Sequence, residues 1–209
     1  KLRKMSENKV PTTVYAESTP NPGVMKFVVN RAIIQGDSLE FMNIDEAKNA
    51  PLANKLFHFP FVKEVFIAKN FVSLTKYDLM EWEDVVMEIR EFIREYLADG
   101  GVVIEEVQEA GSKEDVQDAV QQPEEIIPEE LGEIETRIVE ILEEYVAPAV
   151  ESDGGNIKFI SYEDGKVSVL LQGACSGCPS STVTLKQGIE SMLKEMLPTL
   201  VNEVVAING

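Results

Sequence analysis

The chain of 209 residues contains only two cysteines, one histidine and one tryptophan. Two cysteines are too few for a disulfide scaffold, so we expect a reducing compartment, the cytoplasm. No apolar run approaches the roughly 20 residues of a membrane span, and residues 1–8 lack the apolar core of a signal peptide. Because the sequence begins at Lys1 rather than Met, it is also compatible with an organellar targeting segment that has been removed.

Basic residues are scarce as well. The 19 Lys and Arg are outnumbered by 37 Asp and Glu, which gives a net charge of −18. Between residues 105 and 135 there are twelve carboxylates and one base, Lys113, so this segment alone carries −11. Without a basic patch we expect no nucleic acid as a partner, and without a spanning segment no membrane. The acidic segment is typical of a solvated, self-repelling linker.

The rest of the sequence predicts two small α+β domains joined by this acidic, flexible linker. A hydrophobic content of 44% is typical of globular proteins, and the length allows two small domains. We expect the first domain at residues 12–100, the linker at 101–130 and the second domain at 131–209.

In the first domain, short apolar runs predict strands and a short helix lies within residues 43–59. The predicted strands cover residues 14–17, 25–29, 61–68 and 71–77. The segment Thr19-Pro-Asn-Pro22 predicts a rigid turn between the first two.

A longer helix follows in the first domain. Asp78 and Glu81 predict a capping box at its start, and Gly100-Gly101 predict its end. Its apolar stripe, which we expect in the core, consists of Trp82, Val85, Val86, Ile89, Ile93 and Tyr96.

The second domain has the predicted order α-β-β-α-β. The first helix ends at Pro148 and Ser152-Asp-Gly-Gly155, and a hairpin of strands 156–162 and 166–172 follows. A second helix and a final strand at 201–207 complete the domain. The apolar stripe of the first helix is Ile134, Ile138, Ile141, Leu142 and Tyr145, and that of the second is Leu185, Ile189, Met192, Leu193 and Met196.

Both cysteines lie in one motif, Gly173-Ala-Cys-Ser-Gly-Cys-Pro-Ser-Ser181. Cys175 and Cys178 at C-x-x-C spacing can share a metal ion or cluster, or form a short disulfide. A zinc site or an iron–sulfur cluster takes about four protein ligands, and one chain supplies two. The other ligands would come from a second copy, a partner protein or a small thiol.

The position of the motif between a strand and a helix has chemical consequences. We expect the helix N-terminus to favour anionic sulfur and to lower the thiol pKa. Gly173 and Gly177 allow the loop backbone to curl around sulfur, Pro179 fits the first helical turn, and Ser180 or Ser181 can cap it. Asp153-Gly-Gly155 predicts a turn that needs positive φ.

The residues alone leave several functions open. A thioredoxin-like thiol–disulfide oxidoreductase would use Cys175 as attacking thiolate and Cys178 as resolving thiol, although Ala174 lies where such proteins usually have an aromatic residue. A zinc-bridged dimer lacks further ligands within the chain, because His58 lies in the other domain and is expected to be structural. An inert cysteine pair is the remaining alternative. No nucleophile–base set or phosphate loop is present, so we expect no enzyme.

The segment from Asp153-Gly-Gly155 to Gly173-Ala-Cys-Ser-Gly-Cys-Pro-Ser-Ser-x-x-Thr-Leu-Lys186 resembles the C-terminal domain of NifU, of the Nfu-type iron–sulfur scaffold and carrier family. Upstream, Thr19-Pro-Asn-Pro-x-x-x-Lys-Phe27 and the Trp82 helix look like the N-terminal domain joined to it in many Nfu proteins. The family position of the Thr19 segment indicates a docking surface.

The resemblance implies that Cys175 and Cys178 bind a labile [4Fe-4S] cluster, with [2Fe-2S] as the other cluster type. It implies a cluster-bridged homodimer, upstream cluster-assembly proteins as donors, and transfer of the cluster to apo iron–sulfur recipient proteins. The middle and N-terminal domains of full-length NifU are missing, which favours carriage over de novo assembly. Since each domain has its own apolar stripes, we expect the apo-protein to be monomeric.

Overall fold

The structure is a computed structural model that describes residues 10–105, 132–176 and 179–208, with only the backbone of residues 179–181 and 208. The chain forms two α+β domains, which confirms the expected fold class. Residues 106–131, which include most of the expected linker, lie outside the described residues, so its boundaries stay a prediction. Within the described ranges no helix is long and apolar enough to cross a membrane.

The first domain is built on a five-stranded antiparallel sheet with the order β1-β2-β5-β4-β3. The strands are β1 (Val14–Ser18), β2 (Val24–Val29), β3 (Leu39–Phe41), β4 (Val62–Ala68) and β5 (Phe71–Lys76). The predicted strands are confirmed, whereas β3 was not predicted, because three residues are too short for a periodic signal. The helices are α1 (Pro51–Leu56), preceded by a 3₁₀ turn at Glu46–Asn49, and α2 (Trp82–Ala98).

The two faces of this sheet have different neighbours. The inner face packs on α1 and α2 in the main core, which includes Phe27, Ile67, Leu74 and the buried stripe residues Ile89 and Ile93. The outer face carries a smaller cluster of strand residues, Phe66, Ala68 and Phe71, with Val28 packed against them. Strand alternation explains both sets, because successive side chains point to opposite faces.

Helix α2 begins later than its sequence suggests. Glu81 is the N-cap residue, with extended backbone and no side-chain capping hydrogen bond, so the capping box predicted at Asp78 is wrong. Asp78 lies in a turn outside the helix, with its carboxylate 3.9 Å from Lys76 Nζ. The predicted end is confirmed. Gly100 has φ of 76°, and the amides of Gly100 and Gly101 close a Schellman motif.

The second domain has a three-stranded sheet with the order β6-β7-β8. Strands β6 (Gly155–Glu163) and β7 (Lys166–Gly173) form the predicted antiparallel hairpin, and β8 (Glu203–Asn208) pairs with β7 in parallel. Helices α3 (Glu133–Ile141) and α4 (Ala147–Ser152) precede the sheet, and α5 (Pro179–Met196) connects β7 to β8. The α-β-β-α-β order is therefore confirmed.

A π-helical turn at Leu142–Val146 joins α3 to α4, and it corrects two predictions. Pro148 does not end the helix, which continues to Ser152, because Pro148 occupies the first turn of α4, where its missing N–H is tolerated. The extra residue of the π turn also changes the phase of the apolar stripe. Tyr145 is 48% exposed, and Val146 is buried in its place.

Candidate functional site

The structure describes one of the two candidate ligands, Cys175. Cys175 lies in the turn between the end of β7 at Gly173 and the start of α5 at Pro179. Cys178 lies outside the described residues.

The Cys175 side chain occupies a space that Gly155 leaves open. Gly155 begins β6 and is the register partner of Gly173 at the end of β7. A Cβ atom on Gly155 would lie 2.8 Å from Cys175 Sγ and 2.6 Å from the Gln172 carbonyl oxygen. Any larger residue at position 155 would therefore displace the sulfur or the strand. This role is not evident from the sequence, where Gly155 is explained by the turn alone.

Backbone hydrogen bonds hold the cysteine loop against the neighbouring turn. The Ala174 amide donates to the Gly154 carbonyl at 3.2 Å, and the Ser176 amide donates to the Gly173 carbonyl at 3.1 Å. Thr182 Oγ1, in the first turns of α5, donates to the Cys175 carbonyl at 3.0 Å. Gly154 has φ of 84°, which confirms that the Asp153-Gly-Gly155 segment needs a positive φ.

The environment of Cys175 contradicts the expected lowering of its pKa. The side chain is 7% exposed and belongs to the core of the second domain. Burial raises the pKa of the Cys175 thiol to about 11, and the negative charge of Asp153 adds to the effect. Helix α5 begins at Pro179, four positions beyond this thiol, so the desolvation of sulfur outweighs the helix dipole.

The first domain contacts the strand ends that flank Cys175. Lys26 Nζ donates to the Ser152 carbonyl at 3.1 Å, and Ser73 Oγ donates to the Gly154 carbonyl at 2.7 Å. The Gly173 amide donates to Glu40 Oε1 at 2.7 Å. The first domain thus forms one side of the candidate site, which the sequence could not predict for residues more than 80 positions apart.

The Thr19-Pro-Asn-Pro22 turn also lies at this site. Thr19 Oγ1 donates to the Asn21 carbonyl at 2.8 Å, which stabilises the turn. The Asn21 side chain is buried, and its Nδ2 donates to the Ala174 carbonyl at 3.4 Å, next to Cys175. In this structure the expected docking surface thus contacts the cysteine loop of its own chain.

His58 does not contribute to this site. Its ring is exposed, and Nδ1 donates to the Asn54 carbonyl at 2.8 Å, one helical turn earlier. In the described parts of the chain, no three His, Cys, Asp or Glu side chains come together as a metal site.

Comparison with known proteins assigns both domains to described families. Residues 14–100 match the family model "Scaffold protein Nfu/NifU N terminal", and residues 138–205 match the family model "NifU-like domain". The solution NMR structure of a NifU-like protein from Saccharomyces cerevisiae is 23% identical, covers 51% of this chain and 93% of its own, and has a TM-score of 0.42.

Curated relatives match most of the chain. "NifU-like protein 4, mitochondrial" from Arabidopsis thaliana is 35% identical over 182 residues, which cover 86% of this chain and 61% of the relative. "NFU1 iron-sulfur cluster scaffold homolog, mitochondrial" from Drosophila erecta is 34% identical and covers 88% and 62%. The human protein of the same name is 33% identical and covers 88% and 68%. The chain thus spans about three fifths of the length of the first two relatives.

These relatives correct one expectation. All three are named as mitochondrial proteins, so the expected cytoplasmic location is wrong. The inference failed because a low cysteine count separates reducing from oxidising compartments, and does not separate the cytoplasm from a reducing organelle. The two family models match in the order of the two domains, and the human relative is matched over 68% of its length at 33% identity. The chain belongs to the Nfu family of NifU-like proteins.

Proposed function

We propose that this protein is an iron–sulfur cluster scaffold and carrier in which Cys175 and Cys178 ligate the cluster. The observation that carries the proposal is the space at Gly155, which accepts the Cys175 sulfur at the junction of β7 and α5. The relatives named as iron–sulfur cluster scaffolds support it.

The donor set fits a cluster shared between two chains. Thiolates are the protein ligands that iron–sulfur clusters prefer, and a [4Fe-4S] cluster takes about four of them. The sequence has two cysteines, so two chains together provide the full set. We propose a two-fold dimer in which each chain contributes Cys175 and Cys178, and in which the cluster is the main link between the chains.

Transfer of the cluster needs no change in its oxidation state. As each acceptor thiolate forms a bond to iron, one bond from iron to Cys175 or Cys178 breaks, and the released sulfur takes up a proton. The buried setting of Cys175 assists this step, because it favours the neutral thiol over the free thiolate once iron has left. Recipient apo-proteins with better placed thiolates would therefore accept the cluster.

This role implies partners and a location, but no catalytic turnover. Donors would be upstream cluster-assembly proteins, and acceptors would be apo iron–sulfur proteins. From the names of the relatives we infer an organellar location. The alternative, a thiol–disulfide oxidoreductase, has no support, because a buried thiol with a raised pKa is a poor attacking nucleophile at neutral pH.

Anaerobic reconstitution with iron and sulfide tests the proposal. The intact chain should turn brown, bind about four irons per two chains, and sediment as a dimer only when loaded. Cys175→Ser and Cys178→Ser should each abolish retention of the cluster, whereas Gly188→Ala, on an open face of α5, should not. Iron binding that survives loss of both cysteines, or a dimer that persists without iron, would contradict it.

A further inference from the structure

The outer face of the first domain's sheet is, we propose, an intramolecular docking surface for the strand ends that carry the cysteine loop. Undocking of this surface then controls how readily Cys175 reacts and exchanges ligands. The inference rests on the proposed function only for its consequence for cluster release. The docking contact itself is independent of any cluster.

The docking surface is a single row of side chains that crosses four strands. Lys26 is the register partner of Ser73, Ser73 of Phe66, and Phe66 of Glu40, so the row runs through β2, β5, β4 and β3. Register partners point to the same face of a sheet. All four therefore point away from the main core of the first domain and towards the second domain.

Each member of this row contacts one of the two strand ends. Lys26 and Ser73 donate to the carbonyls of Ser152 and Gly154, just before β6 begins. Glu40 accepts from the amide of Gly173 at the end of β7. These contacts hold the same two strand ends that place Cys175 beside Gly155.

Close packing at the glycines fits a docked partner. A Cβ atom on Gly154 would lie 2.9 Å from Ser73 Oγ, and one on Gly173 would lie 2.9 Å from the Phe66 ring. Phe66 is only 2% exposed, although its cluster on the outer face consists, among the described residues, of strand residues alone. The second domain thus covers an apolar patch that would otherwise face water, and this burial favours docking.

Polar contacts at the edges extend the surface. Lys69 Nζ lies 2.6 Å from Glu151 Oε1, and Asn156 Nδ2 donates to Ser38 Oγ at 2.7 Å. An interface with both apolar and exposed polar contacts is suited to reversible association of domains. Because the interface holds the end of β7 and the start of β6 next to Cys175, opening it would loosen the loop without unfolding either domain.

The first test measures alkylation of Cys175 by a maleimide in metal-free full-length Cys178→Ser protein. Ser73→Arg places a bulky cation against Gly154 and should accelerate alkylation about tenfold, since the docked population falls. Tyr15→Arg is the matched control. Tyr15, on β1 of the same sheet, lies outside the row that contacts the second domain and is 63% exposed, so this variant should change the rate less than about twofold. Equal rates for the two variants would overturn the proposal.

A charge exchange at the edge provides a second test with exposed residues, in case Ser73→Arg perturbs folding. Lys69→Glu and Glu151→Lys should each raise the alkylation rate about two- to fivefold, because each variant places two charges of the same sign next to each other at this contact. The double variant restores opposite charges and should return to the original rate. Additive acceleration in the double variant would show that the contact does not control access to Cys175.

Reconstituted protein then measures the consequence for the cluster. If docking retains the cluster, the Ser73→Arg variant should lose iron to a chelator about tenfold faster than Tyr15→Arg, at equal initial iron content. Failure to load any variant would contradict the proposed function and leave the alkylation result valid. Equal loss rates, with faster alkylation, would show that docking does not govern release.

Discussion

The two domains differ in what fills their cores. In the described residues, the main core of the first domain contains 22 buried side chains, all apolar, whereas that of the second contains 14, one of which is Cys175. Buried apolar area is the main source of folding free energy. We therefore expect the cysteine-bearing domain to be the less stable one. A site that must open to exchange ligands is located where opening costs least.

Matched core truncations should show the largest effects. Leu74 and Leu193 are both fully buried, one in each domain. Replacing either of them by alanine should lower the free energy of unfolding of its domain by about 2–5 kcal/mol. Leu193→Ala should lower the unfolding midpoint of the second domain well below that of the first. Leu74→Ala should bring the two midpoints together or reverse their order.

The sole tryptophan separates the two transitions. Trp82 is in the first domain, so its fluorescence reports that domain, while far-UV circular dichroism reports both. In Leu193→Ala, the dichroism change should precede the fluorescence change. If both signals shift together by the same amount, the two domains unfold as one unit, and the second domain is not the less stable one.

Two glycine substitutions should give opposite results within the second domain. Gly155→Ala forces a Cβ atom against Cys175 Sγ. It should lower the free energy of unfolding by about 1–3 kcal/mol, and it should also weaken cluster retention. Gly188→Ala, in α5 with no atom within 4 Å of the added Cβ, should stabilise by about 0.5–1 kcal/mol. Chemical denaturation measures both. Equal destabilisation would show that the space at Gly155 is not specifically required by the sulfur.

The smallest effect concerns pH and Glu40. Burial raises the pKa of Glu40, repulsion by Glu64 and Glu46 adds to this, and the Gly173 amide opposes it. The folded state therefore binds this proton more tightly than the unfolded state. The contribution of Glu40 to stability is thus greatest below its unfolded pKa and falls as pH rises through its folded pKa.

Glutamine keeps an acceptor for Gly173 and removes the titration. Relative to Glu40→Gln, the original chain should lose free energy of unfolding as pH rises from 4.5 towards neutrality. Glu91→Gln is the matched control of opposite sign, because hydrogen bonds from Arg94 and Arg90 lower the Glu91 pKa, so the contribution of Glu91 is lost only as pH falls below 4.5. The same slope for both variants would contradict the assignment.

Regular periodicity explains which parts of the fold were predictable. The α2 stripe follows a regular period, and the β6–β7 hairpin was predictable from its two apolar runs around Glu163-Asp-Gly165, although its register shifts between Phe159 and Ser161. Tyr145 was wrongly predicted to lie in the buried stripe, because the π turn adds a residue and the hydrophobic pattern does not indicate it. Asp78 was misplaced because capping motifs also occur in turns that precede a helix.

The candidate site was only partly predictable. The C-x-x-C spacing identifies Cys175 and Cys178, but burial of Cys175 depends on tertiary packing against Gly155. Asn21 contacts Ala174, a residue 153 positions further along the chain, and local sequence patterns do not predict contacts over such a separation. The ligand role of both cysteines stays a proposal until iron binding is measured.

The contact between Glu40 and Gly173 has a further consequence, because both residues belong to one polypeptide. Docking is a unimolecular equilibrium, so its extent is independent of how much protein is present, whereas pairing of two chains around a cluster is bimolecular. Dilution would therefore separate loaded pairs while each chain keeps its own domains together. Abundance of the protein would thus change the fraction of loaded chains that are paired, and would leave the docked fraction of unpaired chains unchanged.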